Sequence, residues 1–516
     1  MKSAKFLILF ITLTSFVSAD VKLPSIFGDN MVLQQGIENP IWGWADSGEK
    51  VTIHIEGHDK KLDSMAGKSA RWQIKLPKLK ASNEPIEITI KGKNTITLKN
   101  VLIGEVWVCS GQSNMQWPVD ASNDPDLEKL SANYPNIRFI TVPRIGTQEP
   151  QNDFEGQWEA CNPETAGQFS AVGYFFGRQL HQTLGVPVGL IDNAWGGSAA
   201  EAWIRRDRLD KLPAAKPYME QWKNTEANYD EAKINADFKK KLAAWETRAK
   251  TARESKKPAP NKPRAPRNPL VGQHRPANLY NGVLKPIIGY GIKGAIWYQG
   301  ESNSSRAKAY RDVFTLMIES WRQDWNQGDF PFYWVQLADF KDEVATPGDS
   351  SWAELREAQS LAMRLPNTGQ AVITDLGEAH DIHPKDKQNV AKRLARWALA
   401  KDYGYDIVHR SPQHKALQRN GNKVVLHFEH VGGGLDTFDV RTPIGFTLAG
   451  NDEVFHPAKA KIVGKDRIEV WSDAVPNPIA ARYAWADNPV CNVQNREGLP
   501  LTPFRTDEFK MVTDGQ

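Results

Sequence analysis

Four apolar runs in this 516-residue chain each end abruptly in small and polar residues, and that repetition constrains the fold more than any other feature. "VLIGEVWVCS" runs into "GQSN", "VPVGLID" into "NAWGGS", "IKGAIWY" into "QGESN" and "QAVITD" into "LGEAHDIHP". Before the second run lies "FSAVGYFFGRQLHQTL", whose Val172, Phe175, Phe176 and Leu180 fall at helical spacing, with Gly185 placed to stop the helix. Strand, helix, strand in that order predicts a parallel α/β sheet. Ligands of open α/β sheets sit at the carboxyl ends of the strands, so the four polar clusters should share one edge.

The flanking regions read differently. Residues 20–100 carry "VTIHIEG", "RWQIKLP" and "PIEITIKGKNTITLKN", short alternating runs separated by turn residues, which predict an N-terminal β-sandwich. The α/β pattern fills residues 101–404 and includes the helical stretch "KQNVAKRLARWALAKDYG". It is interrupted at 213–269 by a charged helical insertion with Ile234, Phe238, Leu242 and Trp245 on one stripe, then the proline-rich connector "KPAPNKPRAPRNP". Residues 405–516 return to strands and predict a C-terminal β-rich region.

The first 19 residues have the form of a secretory signal: Lys2 and Lys5, an apolar core from Phe6 to Phe16, and the small-residue site Val17-Ser18-Ala19. The expected mature chain begins near Asp20, is periplasmic or extracellular, and contains no run long enough to span a membrane. Without Lys2 and Lys5 the formal charge falls from +4 to +2. So small a net charge carries no electrostatic footprint for nucleic acid. Cys109, Cys161 and Cys491 are too few and too scattered for a disulfide framework or a metal knuckle. The 18 Trp, 12 Tyr and 20 Phe suit packed sheets and a sugar-binding cleft equally.

A serine hydroxyl attacks an ester only when a base takes its proton and donors hold the charge on the attacked oxygen. Ser113 follows a strand beside the small Gly111; Met115 stands where the G-x-S-x-G elbow would need glycine. His383 is the candidate base and Asp381, two residues upstream, its candidate partner. Gly196-Gly197 can offer an unobstructed backbone N–H, and the side-chain amides of Gln299 and Asn303 are further candidate donors. Glu301 could brace its loop or act on His383. Glu378, His380, Asp381 and His383 also lie close together, but one H-x-x-H without a matching cluster elsewhere makes a poor metal site. The chemistry needs neither metal nor organic cofactor.

In combination, "GQSNM", "WGGS", "WYQGESN" and "DIHP" resemble the sialate O-acetylesterase family of SGNH-type esterases. The likeness extends to "FSAVGYFFGRQL", "VPVGLI", "ANLYNGVLKPI" and "NREGLPLTPFRTD". It implies a flavodoxin-like α/β/α hydrolase domain acting on O-acetylated sugars, with Ser113 as nucleophile and His383 as base. The amides of Ser113 and Gly197, with Gln299, would be its oxyanion donors. The family usually places its acid three residues before the histidine; here that residue is His380, so Asp381, Asp375, Glu301 and an acid-free Ser–His dyad remain alternatives. The 213–269 insertion matches no family motif. Two other readings are an acetylxylan or plant-polysaccharide deacetylase on the same machinery, and a non-catalytic carbohydrate-binding protein.

Overall fold

The computed structural model describes residues 20–515; the expected export signal at 1–19 lies outside the described residues. The fold is mixed α/β with additional β-rich regions. Six strands form its central parallel sheet: β1 (Thr95–Gly111), β2 (Tyr134–Thr141), β3 (Val188–Asp192), β4 (Gly294–Tyr298), β5 (Phe332–Val335) and β6 (Thr368–Ala371). Seven helices bear on the site and its surroundings: α1 (Ser113–Gln116), α2 (Ala171–Leu184), α3 (Lys216–Asn228), α4 (Glu231–Glu254), α5 (Ala307–Trp325), α6 (Ser351–Leu361) and α7 (Lys387–Lys401).

Across the sheet the strands run β6-β5-β4-β1-β3-β2. A flavodoxin-like sheet runs 2-1-3-4-5, and β3-β1-β4-β5-β6 follow that order, with β2 added as an extra strand outside β3. Burial explains the placement. All five residues of β3 are buried, as a strand covered on both faces must be, whereas β2 has exposed positions and lies near the edge. The chain passes outward from β1 to β2, returns to β3, and crosses over β1 to β4. The switch point therefore falls at the carboxyl end of β1.

Residues along β1 alternate between two cores. Val106 and Val108 face the layer holding α5 and α6, together with Trp297, Phe314, Trp321 and Leu355. Trp107 and Cys109 face the layer holding α2 and α7, with Phe176, Leu180, Leu394 and Trp397. This gives three layers, helices on both faces of the sheet. Trp297 meets Trp203 and Trp321 edge-on, each at 5.7 Å, and such pairs add about 0.5–1.5 kcal/mol beyond area burial. Helix α2 ends as its sequence predicts, at Gly185 with φ 69°, whose N–H donates to the His181 carbonyl.

The expected division at residue 100 runs through one 17-residue strand. The first part of β1 pairs antiparallel with Ser82–Lys91, and its last part joins the parallel sheet. Beyond the sheet, residues from 413 onward form antiparallel strands around Leu426, Phe428, Leu448, Ile468, Val470 and Leu501. The fully buried Arg356 of α6 ties this region to the α/β layers. Its guanidinium donates to the carbonyls of Leu337 and Ala338 on one side and of Ala486 and Asp487 on the other.

Candidate active site

The stretch directly after β1, Gln112-Ser113-Asn114-Met115-Gln116, places one polar anchor on each neighbouring loop and leaves Ser113 between them. Gly111 makes the exit possible. Its φ is 134°, and a Cβ there would lie 2.2 Å from the Tyr298 carbonyl oxygen of β4, so only glycine fits. Gln112 turns toward the loop after β4, where its Oε1 accepts from the N–H groups of Gly300 and Ser302, both at 3.4 Å. Gln116 turns toward the loop after β3, accepting from Gly196 N–H at 2.8 Å. Asn114 turns toward the loop after β6, donating to the Ile382 carbonyl at 3.0 Å.

Ser113 and His383, 270 positions apart, meet: Ser113 Oγ lies 2.9 Å from His383 Nε2. Trp117 covers one face of the imidazole, the two rings stacked 4.5 Å apart at 11°. The indole is fixed by its Nε1 donating to the Ala121 carbonyl at 2.8 Å. Asp381 lies on the far side of the ring, with Oδ1 3.4 Å from His383 Nδ1. The same oxygen accepts the His383 backbone N–H at 2.9 Å. Asp381 therefore fixes the turn more firmly than it holds the ring. Burial pushes the imidazole below its ordinary pKa; Asp381 opposes that shift and the Lys387 ammonium adds to it.

The Trp195–Ser198 turn closes the other side. Ser198 N–H donates to the Trp195 carbonyl, and Gly197 has φ 71°, the left-handed residue a type II turn requires. A Cβ on Gly196 would approach Ser113 Cβ to 3.3 Å, so the turn packs directly on the nucleophile side chain. Gly196 N–H is spent on Gln116, whereas Gly197 N–H has no hydrogen-bond partner among the described residues. Ser113 opens α1, so its own N–H has no intrahelical acceptor.

The other sequence candidates lie elsewhere. Gln299 is fully buried; its amide donates to the Ser198 carbonyl at 3.1 Å and to Asn303 Oδ1 at 2.8 Å, while its Oε1 accepts from Tyr310. Both N–H bonds are committed inward, so the expectation that Gln299 faces an oxyanion is corrected: it is scaffold. Asn303 is likewise committed, accepting from Gln299 and Ala200 N–H and donating to Glu201. Asp375 forms a bidentate pair with Arg393, both bonds 2.6 Å, and so does not serve His383. Glu301 also misses the histidine. Its Oε1 accepts from Asn114 Nδ2 at 2.6 Å, and burial raises its carboxyl above the ordinary range.

A buried lysine completes the network and carried no signal in the sequence. Lys387, the first residue of α7, donates through Nζ to Asn114 Oδ1 at 2.6 Å, and burial pushes its pKa down to about 7. One side-chain amide thus joins the nucleophile turn, the β4 loop, the histidine loop and α7. Lysine inside a charged stretch such as "HPKDKQ" looks like ordinary surface; only its place at the start of a buried helix could have marked it.

Comparison with known proteins agrees with this geometry. Residues 274–400 match the family model "Carbohydrate esterase, sialic acid-specific acetylesterase". The sialate O-acetylesterase of Rattus norvegicus is 30% identical over 447 residues, covering 79% of each chain. The Homo sapiens protein of that name is 29% identical, covering 79% of this chain and 76% of its own. A crystal structure of a carbohydrate acetylesterase from Xanthomonas citri superposes with TM-score 0.80 at 35% identity, covering 95% of this chain and all of that one. Fold and site together define a carbohydrate esterase. Within that class, the chain belongs to the sialate O-acetylesterase family.

Proposed function

We propose that the protein removes acetyl groups from sugar hydroxyls through an acetyl-enzyme on Ser113. The observation that carries this reading is the 2.9 Å contact between Ser113 Oγ and His383 Nε2 beside a turn with an uncommitted N–H. His383 accepts the Ser113 proton as Oγ attacks the acetyl carbonyl carbon. The N–H groups of Ser113 and Gly197 hold the resulting oxyanion, in the two-donor arrangement left once Gln299 is assigned to the scaffold. His383 then gives its proton to the sugar oxygen as the C–O bond breaks. In the second half His383 deprotonates water, the hydroxide attacks the acetyl-enzyme, and Ser113 leaves with the proton as acetate is released.

The acid contributes less than in a tight triad, because the Asp381 carboxylate is 3.4 Å from Nδ1 and partly exposed. Trp117 supplies the missing restraint: a ring stacked on the imidazole fixes its rotation and stabilises the imidazolium by cation–π attraction, worth about 0.5–2 kcal/mol. Asn114 sets the height of the histidine loop through the Ile382 carbonyl.

The relatives' names make O-acetylated sialic acid the first substrate to test, with acetylated xylan as the alternative. We further infer that residues 1–19 are an export signal, and that 101–404 form the catalytic unit between two β-rich regions. Incubating the protein with acetylated substrate, quenching, and mapping the acetylated peptide tests the mechanism. Acetyl on the peptide containing Ser113 supports it; turnover without acetylation there, in a slowly deacylating variant, refutes it.

A further inference from the structure

The helical insertion is unlike the rest of the surface. Residues 231–268 hold twelve Lys and Arg against four Asp and Glu, a net charge of +8, whereas the whole chain carries only +4. The remainder is therefore net acidic, and the positive charge is gathered in one structural unit. That unit is α4, 24 residues or about 36 Å long, backed by the proline-rich segment after it.

Its packing is thin but defined. Ile234, Phe238, Leu242 and Trp245 are half-buried along one stripe, and Ala249 is the helix's single buried residue. Trp245 Nε1 donates to the Pro260 carbonyl at 2.7 Å, and the Lys262 ammonium lies 5.5 Å over the Trp245 ring. The proline-rich return thus packs on the Trp245 end of the apolar stripe, leaving the rest of the circumference to charge. All twelve cationic side chains are exposed, and among the described residues none forms an ion pair. A helix that is merely solvated alternates its signs and builds pairs four residues apart. Here Lys239, Lys240 and Lys241 stand consecutively and the like charges repel, at a cost an external polyanion would relieve.

The arm is also rooted at the candidate active site. Tyr218 of α3, at its base, donates to the His274 carbonyl at 2.7 Å and lies under the Arg306 guanidinium, 4.3 Å from the ring centre. Next to His274, Gln273 faces the oxyanion turn: a Cβ on Gly197 would meet its Nε2 at 3.3 Å. The chain returning from the arm thus passes, at Gln273, beside the turn that packs on Ser113.

We propose that this arm is a docking surface for acidic polysaccharide, a polymer bearing repeated carboxylate groups, which it holds against the enzyme while its acetyl esters are presented to the site. Charge complementarity favours such a polymer, and an array spread over tens of ångströms suits an extended chain more than a single sugar. The effect on turnover rests on the esterase reading; the binding does not.

The test compares the full-length protein with K239E/K240E/K241E, exposed positions outside the catalytic machinery. Binding to immobilised polygalacturonate is measured at about 50 and 200 mM salt, where counterion release makes contacts of this kind weaken steeply. The wild type should bind at low salt and lose most affinity at high salt, and the triple variant should bind on the order of tenfold more weakly at low salt. On acetylated polygalacturonate its kcat/KM should fall similarly, while hydrolysis of p-nitrophenyl acetate stays unchanged. Equal binding by both proteins overturns the proposal. So does absence of wild-type binding, or wild-type binding to phosphatidylglycerol vesicles but not to polygalacturonate. Loss of small-ester hydrolysis in Ser113→Ala with arm binding intact would leave this inference standing apart from the mechanism.

Discussion

Replacing Asn114 with alanine tests whether one buried amide assembles the site. The substitution removes the bonds to the Ile382 carbonyl, the Glu301 carboxylate and the Lys387 ammonium together. A buried polar group stranded without its partner costs about 1–3 kcal/mol, more if charged. Three such losses would sum to several kcal/mol, but the attraction between the Glu301 carboxylate and the Lys387 ammonium survives the substitution and offsets part of it. A stability loss of about 2–4 kcal/mol is therefore expected. The kinetic loss has a separate origin. Without its anchor the Ile382–His383 backbone is free to shift, and a displacement near 1 Å at the reacting groups costs about a hundredfold in rate. Steady-state kinetics on p-nitrophenyl acetate, with thermal unfolding in parallel, should give kcat down about a hundredfold and KM changed little, because Asn114 faces away from the ester. A kcat within about twofold of wild type would refute the positioning argument.

Other consequences arise from the same geometry. The rate should rise with pH as His383 loses its proton, with a midpoint below the ordinary imidazole value near 6.5, because burial depresses its pKa; a midpoint above that value would contradict the assignment. Asp381→Asn should cost far less than loss of a tightly held triad acid, on the order of tenfold, given the 3.4 Å separation. Trp117→Leu should lower kcat more than Trp117→Phe, since phenylalanine retains a stacking face. Lys387 has its folded pKa lowered from 10.5 to about 7, so between those pH values the unfolded chain binds the extra proton. Wild-type stability relative to Lys387→Met should accordingly rise through that window by up to about 1.4 kcal/mol per pH unit. Paired denaturation curves at pH 7 and 9 measure the difference.

Much of this architecture is legible in the sequence because local signals agree with the global fold. Apolar runs ending in polar clusters mark the strand ends, helical spacing from Val172 to Leu180 marks α2, and Gly185 marks its end. Ser113, His383 and Gly197 stand out because each sits in such a cluster. Strand order is less accessible: a strand's neighbours depend on which edge can be left exposed, and nothing local marks β2 as an added strand outside β3. Side-chain amides are the hardest to read. Gln299 has the right chemistry for an oxyanion donor and the right loop, yet its direction is set by Ser198 and Tyr310 from distant parts of the chain. Asn114 and Lys387 were silent for the converse reason, since their value lies in partners up to 273 positions away.

The central claim, that Ser113 is the nucleophile activated by His383, is most directly tested by Ser113→Ala. Rates on acetylated sialic acid and on p-nitrophenyl acetate should fall by several orders of magnitude while the folded protein is retained. A variant that keeps most of its esterase activity would contradict the account.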